Sequence, residues 1–129
     1  MRKKLAWIML TLGAGLLTSC SLVMAPPPGD FHISIQGGVY AVNGMSRPEI
    51  TLTRGMTYTF SVNTSSHPFY ITTDGAGGFG APGKVTVGVT GSPVDVGTLT
   101  FTPDASHVLQ LYYQCAVHLN MGNKINLVP

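Results

Sequence analysis

The sequence predicts an all-β domain, a sandwich or barrel of about seven to nine short strands. Short runs in which apolar and polar residues alternate recur along the chain, and they are rich in Val, Thr, Ile, Tyr and Phe. Sixteen Gly and nine Pro supply turns between the runs, and long amphipathic helices are absent from the pattern. The length of 129 residues suits one domain.

The start of the chain indicates an exported protein. Three basic residues at 2–4 precede an apolar stretch at 5–17, which is the pattern of a secretory signal peptide. Leu17-Thr18-Ser19-Cys20 resembles the lipobox of bacterial lipoproteins, in which the Cys is lipidated and becomes the new N-terminus. We therefore predict a signal peptide over 1–19 and a lipid anchor on Cys20, with ordinary cleavage after Ala25 as the alternative. The protein is expected in the periplasm or at the cell surface, held to a membrane.

Residues 20–30 are predicted to be the lipidated Cys and a linker, which three consecutive prolines should make stiff and extended, and the folded domain is predicted over 31–129. Without the basic residues at 2–4, four basic and five acidic residues leave a net charge of −1. The sequence has no basic patch that would indicate nucleic-acid binding. Its five carboxylates offer few candidates for acid–base catalysis. We expect neither a nucleic-acid partner nor an enzyme.

Alternation and turn signals place the strands in order. The first five are predicted at 31–35, 39–42, 49–53, 56–62 and 68–73, separated by turn dipeptides such as Asn43-Gly44. A Gly-rich loop follows at 74–83, which lacks the Gly-Lys-Ser/Thr ending of a phosphate loop. The last four strands are predicted at 84–90, 97–102, 108–114 and 123–128.

The loop between the last two predicted strands carries Cys115, His118 and Met121. A strand cannot bring side chains at i, i+3 and i+6 together because its faces alternate, whereas a tight loop can, and Gly122 would let the chain turn back. His67, just before the strand at 68–73, is expected at the same end of the sandwich. Two imidazoles, a thiolate and a weak thioether are the ligand set of a mononuclear electron-transfer copper site, with zinc as the competing metal.

The cysteine count supports a ligand role. If Cys20 is lipidated, Cys115 is the remaining thiol of a protein in an oxidising compartment, where lone cysteines are unusual. Binding a metal is one reason to keep it. A buried Cys that acts as a small hydrophobic side chain is the alternative.

These residues resemble the cupredoxins, the small blue-copper proteins that include plastocyanin, pseudoazurin and azurin, over roughly residues 31–128. The resemblance implies a Greek-key β-sandwich with one copper ion held by His67, Cys115 and His118 and by Met121 as axial ligand. The gap from His118 to Met121 is shorter than in plastocyanin-like loops. Water or a backbone oxygen in place of Met121, or a packing role for its side chain, therefore stays open.

The resemblance implies a monomeric one-electron carrier at the membrane surface, cycling between Cu(I) and Cu(II) with a redox protein as partner. Copper handling by the same ligands, as a chaperone, scavenger or sensor, is the alternative, and a sandwich without metal is the third. Leu119 beside His118 could belong to an apolar docking patch or to ordinary loop packing. His32 and His107 have no partner motif and are expected at the surface or at an edge.

Overall fold

A computed structural model describes residues 29–129. The predicted signal peptide, Cys20 and all but the last two residues of the predicted linker lie outside this part of the chain. Residues 29–129 are all-β, with ten strands and no helix, and accordingly contain no helix that could span a membrane.

The strands are numbered in chain order. They are β1 (Asp30–Gln36), β2 (Val39–Val42), β3 (Met45–Ser46), β4 (Ile50–Thr53), β5 (Tyr58–Asn63), β6 (Phe69–Thr72), β7 (Val89–Thr90), β8 (Val96–Phe101), β9 (Gln110–Cys115) and β10 (Asn123–Val128).

The described strands form two sheets that pack as a sandwich and do not close into a barrel. One sheet has the order β3-β2-β1-β5-β8-β7 and the other β4-β10-β9-β6. Both are mixed, because β1 runs parallel to β5 and β10 runs parallel to β4, while the remaining pairs are antiparallel. The predicted all-β sandwich is thereby confirmed.

The core lies between the sheets and follows the alternation seen in the sequence. In β5, Tyr58, Phe60 and Val62 are buried while the residues between them are exposed or half-buried. Strand β6 is buried along its whole length, so it shows a continuous apolar run instead of alternation. Aromatic rings fill the centre, with Phe69 packed against Phe60 at 5.4 Å between ring centroids.

Two predictions about this part of the chain are wrong in detail. The segment 84–90 is a strand only at Val89–Thr90, because Gly88 adopts a φ of 73° and Lys84 makes a single bridge to Thr72. His107 is not a surface side chain. Its ring is 5 % exposed, packs edge-on against Phe101, and lies 2.8 Å from the backbone carbonyl of Val87.

The strand directions define two ends of the sandwich. We call the end where β5 and β9 finish and β6 begins the site end, since it holds the loops before Phe69 and after Cys115. We call the opposite end, where β1, β5 and β9 begin and β4, β8 and β10 finish, the far end.

Candidate metal centre

Three of the four predicted ligands meet at the site end. The Nδ1 atoms of His67 and His118 are 3.1 Å apart, and Nδ1 of His118 is 3.9 Å from Sγ of Cys115. The ligand atoms of all three side chains lie within 4.8 Å of one another. His67, Cys115 and His118 therefore form a cluster that could hold a metal ion.

Two of the three separations suit a single metal ion, and the third is bounded at 4.8 Å. Bonds of about 2.0–2.1 Å to imidazole nitrogen and about 2.3 Å to thiolate sulfur, at angles of about 100–120°, place two nitrogens about 3.1–3.6 Å apart. The same bonds place nitrogen and sulfur about 3.3–3.8 Å apart. The His67–His118 separation of 3.1 Å and the Cys115–His118 separation of 3.9 Å agree with these values to about 0.1 Å.

Cys115 ends β9 with a fully buried side chain. Its Sγ accepts hydrogen bonds from the backbone N–H groups of Val117 and His118, at 3.3 and 3.4 Å. These donors offset negative charge on the sulfur, which suits a thiolate ligand shielded from solvent. Among the described residues Cys115 is the one cysteine, and it forms no disulfide.

His67 is held through its backbone. Its N–H donates to the carbonyl of Thr64 at 2.7 Å, which closes a turn between β5 and β6. Its own carbonyl accepts hydrogen bonds from the hydroxyls of Thr64 and Tyr40, both at 2.8 Å. With both lone pairs of the carbonyl used, the His67 backbone is fixed while its half-buried ring faces His118.

Tyr40 is a residue that the local sequence pattern did not single out. It is fully buried in β2, where its hydroxyl bonds to His67 and its N–H donates to the carbonyl of Met121 at 2.9 Å. Burial, and secondarily the neighbouring Cys115, raises the pKa of Tyr40 well above its ordinary value. Tyr40 is therefore a neutral hydrogen-bond donor that links the loop of His67 to the loop between β9 and β10.

His118 and Met121 take opposite positions in the loop between β9 and β10. His118 is exposed, whereas Met121 is 3 % exposed and belongs to the same core cluster as Cys115. The chain reverses at Asn120, which has a φ of 60°. Gly122 is needed for close packing and not for the predicted turn. A Cβ at this position would lie 1.6 Å from the carbonyl oxygen of Tyr113.

The Gly-rich loop at 74–83 is hydrogen-bonded to the loop between β9 and β10, which carries His118. The carbonyl of Ala76 accepts the N–H of Asn120 at 2.8 Å, and the N–H of Gly78 donates to the carbonyl of Cys115 at 2.8 Å. Gln114, 1 % exposed, joins the two segments, because its amide donates to Gly75 and its side-chain oxygen accepts from Gly122, both at 2.9 Å. The glycines allow this approach by the backbone.

Three exposed apolar side chains lie in the segments next to the exposed His118 imidazole. Phe79 is 91 % exposed, Leu119 63 % and Val117 44 %. Leu119 forms a bridge with Gly77 of the Gly-rich loop, which brings that loop beside His118. We call Phe79, Val117 and Leu119 the apolar rim.

In comparisons with known proteins, no family model and no curated protein matches the chain. The residues that indicate a function are therefore His67, Cys115 and His118, the members of the cluster. His32, exposed on β1, and His107, packed at the far end, are not part of it.

The sequence predicted that His67, Cys115 and His118 would lie close together, as they do. The ligand role of Met121 stays a prediction. The supporting residues Tyr40, Thr64 and Gln114 gave no local signal. Each is a polar side chain buried to 2 % exposure or less, and each acts through contacts that depend on the assembled sandwich.

Proposed function

We propose that this chain is a mononuclear copper protein of the cupredoxin kind that carries single electrons at a membrane surface outside the cytoplasm, held there by a lipid anchor on Cys20. The observation that carries the proposal is that the ligand atoms of two imidazoles and a buried thiol lie within 4.8 Å of one another. This set of ligand types suits a metal that alternates between Cu(I) and Cu(II). Bound copper would supply the one-electron couple.

The protein residues have distinct tasks in this proposal. Cys115 supplies a thiolate that solvent cannot reach, and two backbone N–H groups stabilise its charge. His67, fixed through its carbonyl, holds the second ligand position from the other loop. Because both loops are anchored by backbone hydrogen bonds, the ligands need to move little when the metal changes charge.

His118 is the route by which an electron would leave or enter. It is the exposed ligand of the three, and the apolar rim of Phe79, Val117 and Leu119 lies on its own loop and on the neighbouring Gly-rich loop. Apolar side chains around an exposed ligand suit a short-lived contact with a redox protein, because they exclude water without a network of ion pairs. The partner is therefore expected to present an apolar surface near its own redox centre.

A copper-handling role is the second candidate, and the exposure of His118 is the observation that favours it. A ligand on the surface can exchange with ligands of another protein, so the same site could pass Cu(I) onward. The ligand types favour copper over zinc, and the leader pattern favours a lipid anchor and a location outside the cytoplasm.

Redox cycling of the copper-loaded protein in the presence of a strong Cu(I) chelator separates the two roles. An electron carrier is expected to be bleached by ascorbate and recoloured by ferricyanide over several cycles, with its copper retained. Loss of most of the copper to the chelator in the first reduced phase would instead assign the site to copper handling. Binding of zinc but no coloured binding of copper would contradict both.

A further inference from the structure

Five exposed apolar side chains gather at the far end of the sandwich, opposite the metal cluster. We call this group the far-end patch. It consists of Met56, Val87, Val108, Leu109 and Val128, which are 42, 58, 57, 71 and 37 % exposed.

Hydrogen bonds and strand pairing place part of the patch along the ends of β4 and β10. The carbonyl of Leu109, just before β9, accepts the N–H of Leu127 at 2.9 Å. Val128, the next residue, pairs with Thr53 at the end of β4. The N–H of Met56 donates to the carbonyl of Thr53 at 3.3 Å, so Met56 lies at the same end.

The rest of the patch and the entry of the chain lie at this end as well. The carbonyl of Val87 is 2.8 Å from Nε2 of His107, the residue before Val108. Gly29, where the described chain begins, accepts a hydrogen bond from the N–H of Thr59 at the start of β5. The segment that connects to the predicted lipid anchor therefore reaches the domain at the end that carries the patch.

We infer that the far-end patch lies against the lipid surface that holds the anchor, so that the metal cluster faces away from the membrane. The inference rests on the lipid anchor of the proposed function but not on which metal the cluster binds. It also deepens that function, because a partner must then approach His118 from the aqueous side. A soluble redox protein fits this orientation.

Because the segment between the lipid anchor and the domain is short, a weak apolar contact is enough to hold the far end against the bilayer. The nine residues from Cys20 to Pro28 span at most about 30 Å even when fully extended, which keeps the far end close to the bilayer. A short linker converts binding into an intramolecular event at high effective concentration. Charges of both signs lie at this end, at Asp30, Arg54 and Asp104, so attraction to anionic lipid is not what holds it.

Single tryptophans test the orientation in the full-length lipoprotein. Trp7 is the one Trp of the chain, so a Trp7→Phe background leaves one reporter in each variant whether or not the leader is removed. Leu109→Trp reports on the far end, with Val87→Trp as a second reporter on another loop. Leu119→Trp, at a similarly exposed leucine of the site end, is the matched control.

The variants are reconstituted in vesicles of phosphatidylethanolamine and phosphatidylglycerol that contain lipid with brominated acyl chains. The Trp at 109 or 87 is expected to emit at shorter wavelength and to lose intensity to bromine quenching, while the Trp at 119 does neither. Because the contact is apolar, quenching is expected to persist in about 1 M salt, where charge attraction is screened within about 3 Å.

Equal quenching at 109 and 119, or none at 109 and 87, would overturn the inference. So would quenching that disappears in high salt, or a protein that is not recovered with the vesicles. None of these outcomes bears on copper binding, which is measured separately, and a protein without copper binding could still show the expected quenching.

Discussion

Tyr40 holds His67 from the opposite sheet. Its hydroxyl donates to the His67 carbonyl at 2.8 Å, although Tyr40 belongs to the six-stranded sheet and the loop of His67 leads into β6 of the other. The N–H of the same residue donates to the carbonyl of Met121 at 2.9 Å. The two loops that supply the cluster therefore both accept hydrogen bonds from the buried Tyr40.

Removing the Tyr40 hydroxyl is expected to disturb the metal site more than the fold. Tyr40→Phe removes one of the two hydrogen bonds that the His67 carbonyl accepts, worth about 1 kcal/mol of unfolding free energy. We expect weaker copper binding and a shifted visible band, measured by titration and absorption. Tyr113→Phe is the matched control, because Tyr113 is equally buried and donates to a backbone carbonyl, that of Pro48, at 2.6 Å. Identical affinity and spectra in the two variants would assign Tyr40 a purely structural role.

Met121 is predicted to affect the reduction potential of bound copper and not to be needed for copper binding. Met121→Leu keeps a similar volume in the core, so the fold should lose less than about 1.5 kcal/mol. Loss of a thioether donor destabilises the oxidised metal, and the reduction potential measured by voltammetry should rise. Met56→Leu, at the far end, is the control. An unchanged potential and spectrum in Met121→Leu would show that Met121 only packs.

Gly122 should tolerate no side chain. Because a Cβ there would lie 1.6 Å from the Tyr113 carbonyl oxygen, Gly122→Ala must displace backbone where β9 and β10 pair. We expect a loss of about 1–3 kcal/mol in chemical denaturation, together with weaker metal binding. Gly75→Ala is the control, since its Cβ would meet the Tyr112 ring at an ordinary 3.4 Å. Equal stability of the two variants would contradict this packing.

The apo-protein should lose stability in alkali. Burial raises the pKa of Tyr40 and of Tyr113 well above the ordinary value of about 10, so both stay protonated in the folded chain. The unfolded chain releases these protons above about pH 10, and the free energy of unfolding therefore falls as the pH rises through that range. Denaturation at about pH 8 and about pH 11, with phenolate absorbance as a second signal, measures this loss. It should be smaller in Tyr113→Phe, and an equal loss in that variant would contradict the assignment.

The local sequence patterns predicted the strands and the loop position of the site residues, because these features depend on neighbouring residues in the chain. Alternation located β5 because one of its faces meets the core, and aromatic content located β6 although it is buried throughout. The spacing of Cys115 and His118 predicted a loop, and the position of His67 before β6 predicted the end at which the three residues meet.

The remaining features depend on contacts between distant segments. Strand β3 has two residues, too few to show a period. Lys84 and its neighbours alternate like a strand, but Gly88 turns the chain before a full strand can pair. Tyr40 contacts a residue 27 positions away, and His107 is buried by Phe101, so neither role is visible in the local sequence.

Copper binding through the Cys115 thiolate is tested most directly by a Cu(II) titration of the domain followed by visible absorption, in the wild-type chain and in Cys115→Ser. Ser is small enough for the buried site and can accept the N–H groups of Val117 and His118, so the variant should fold. We expect an intense thiolate-to-copper band that saturates at one equivalent in the wild type and is missing in Cys115→Ser. Colourless binding in the wild type, or the same spectrum in both proteins, would contradict it.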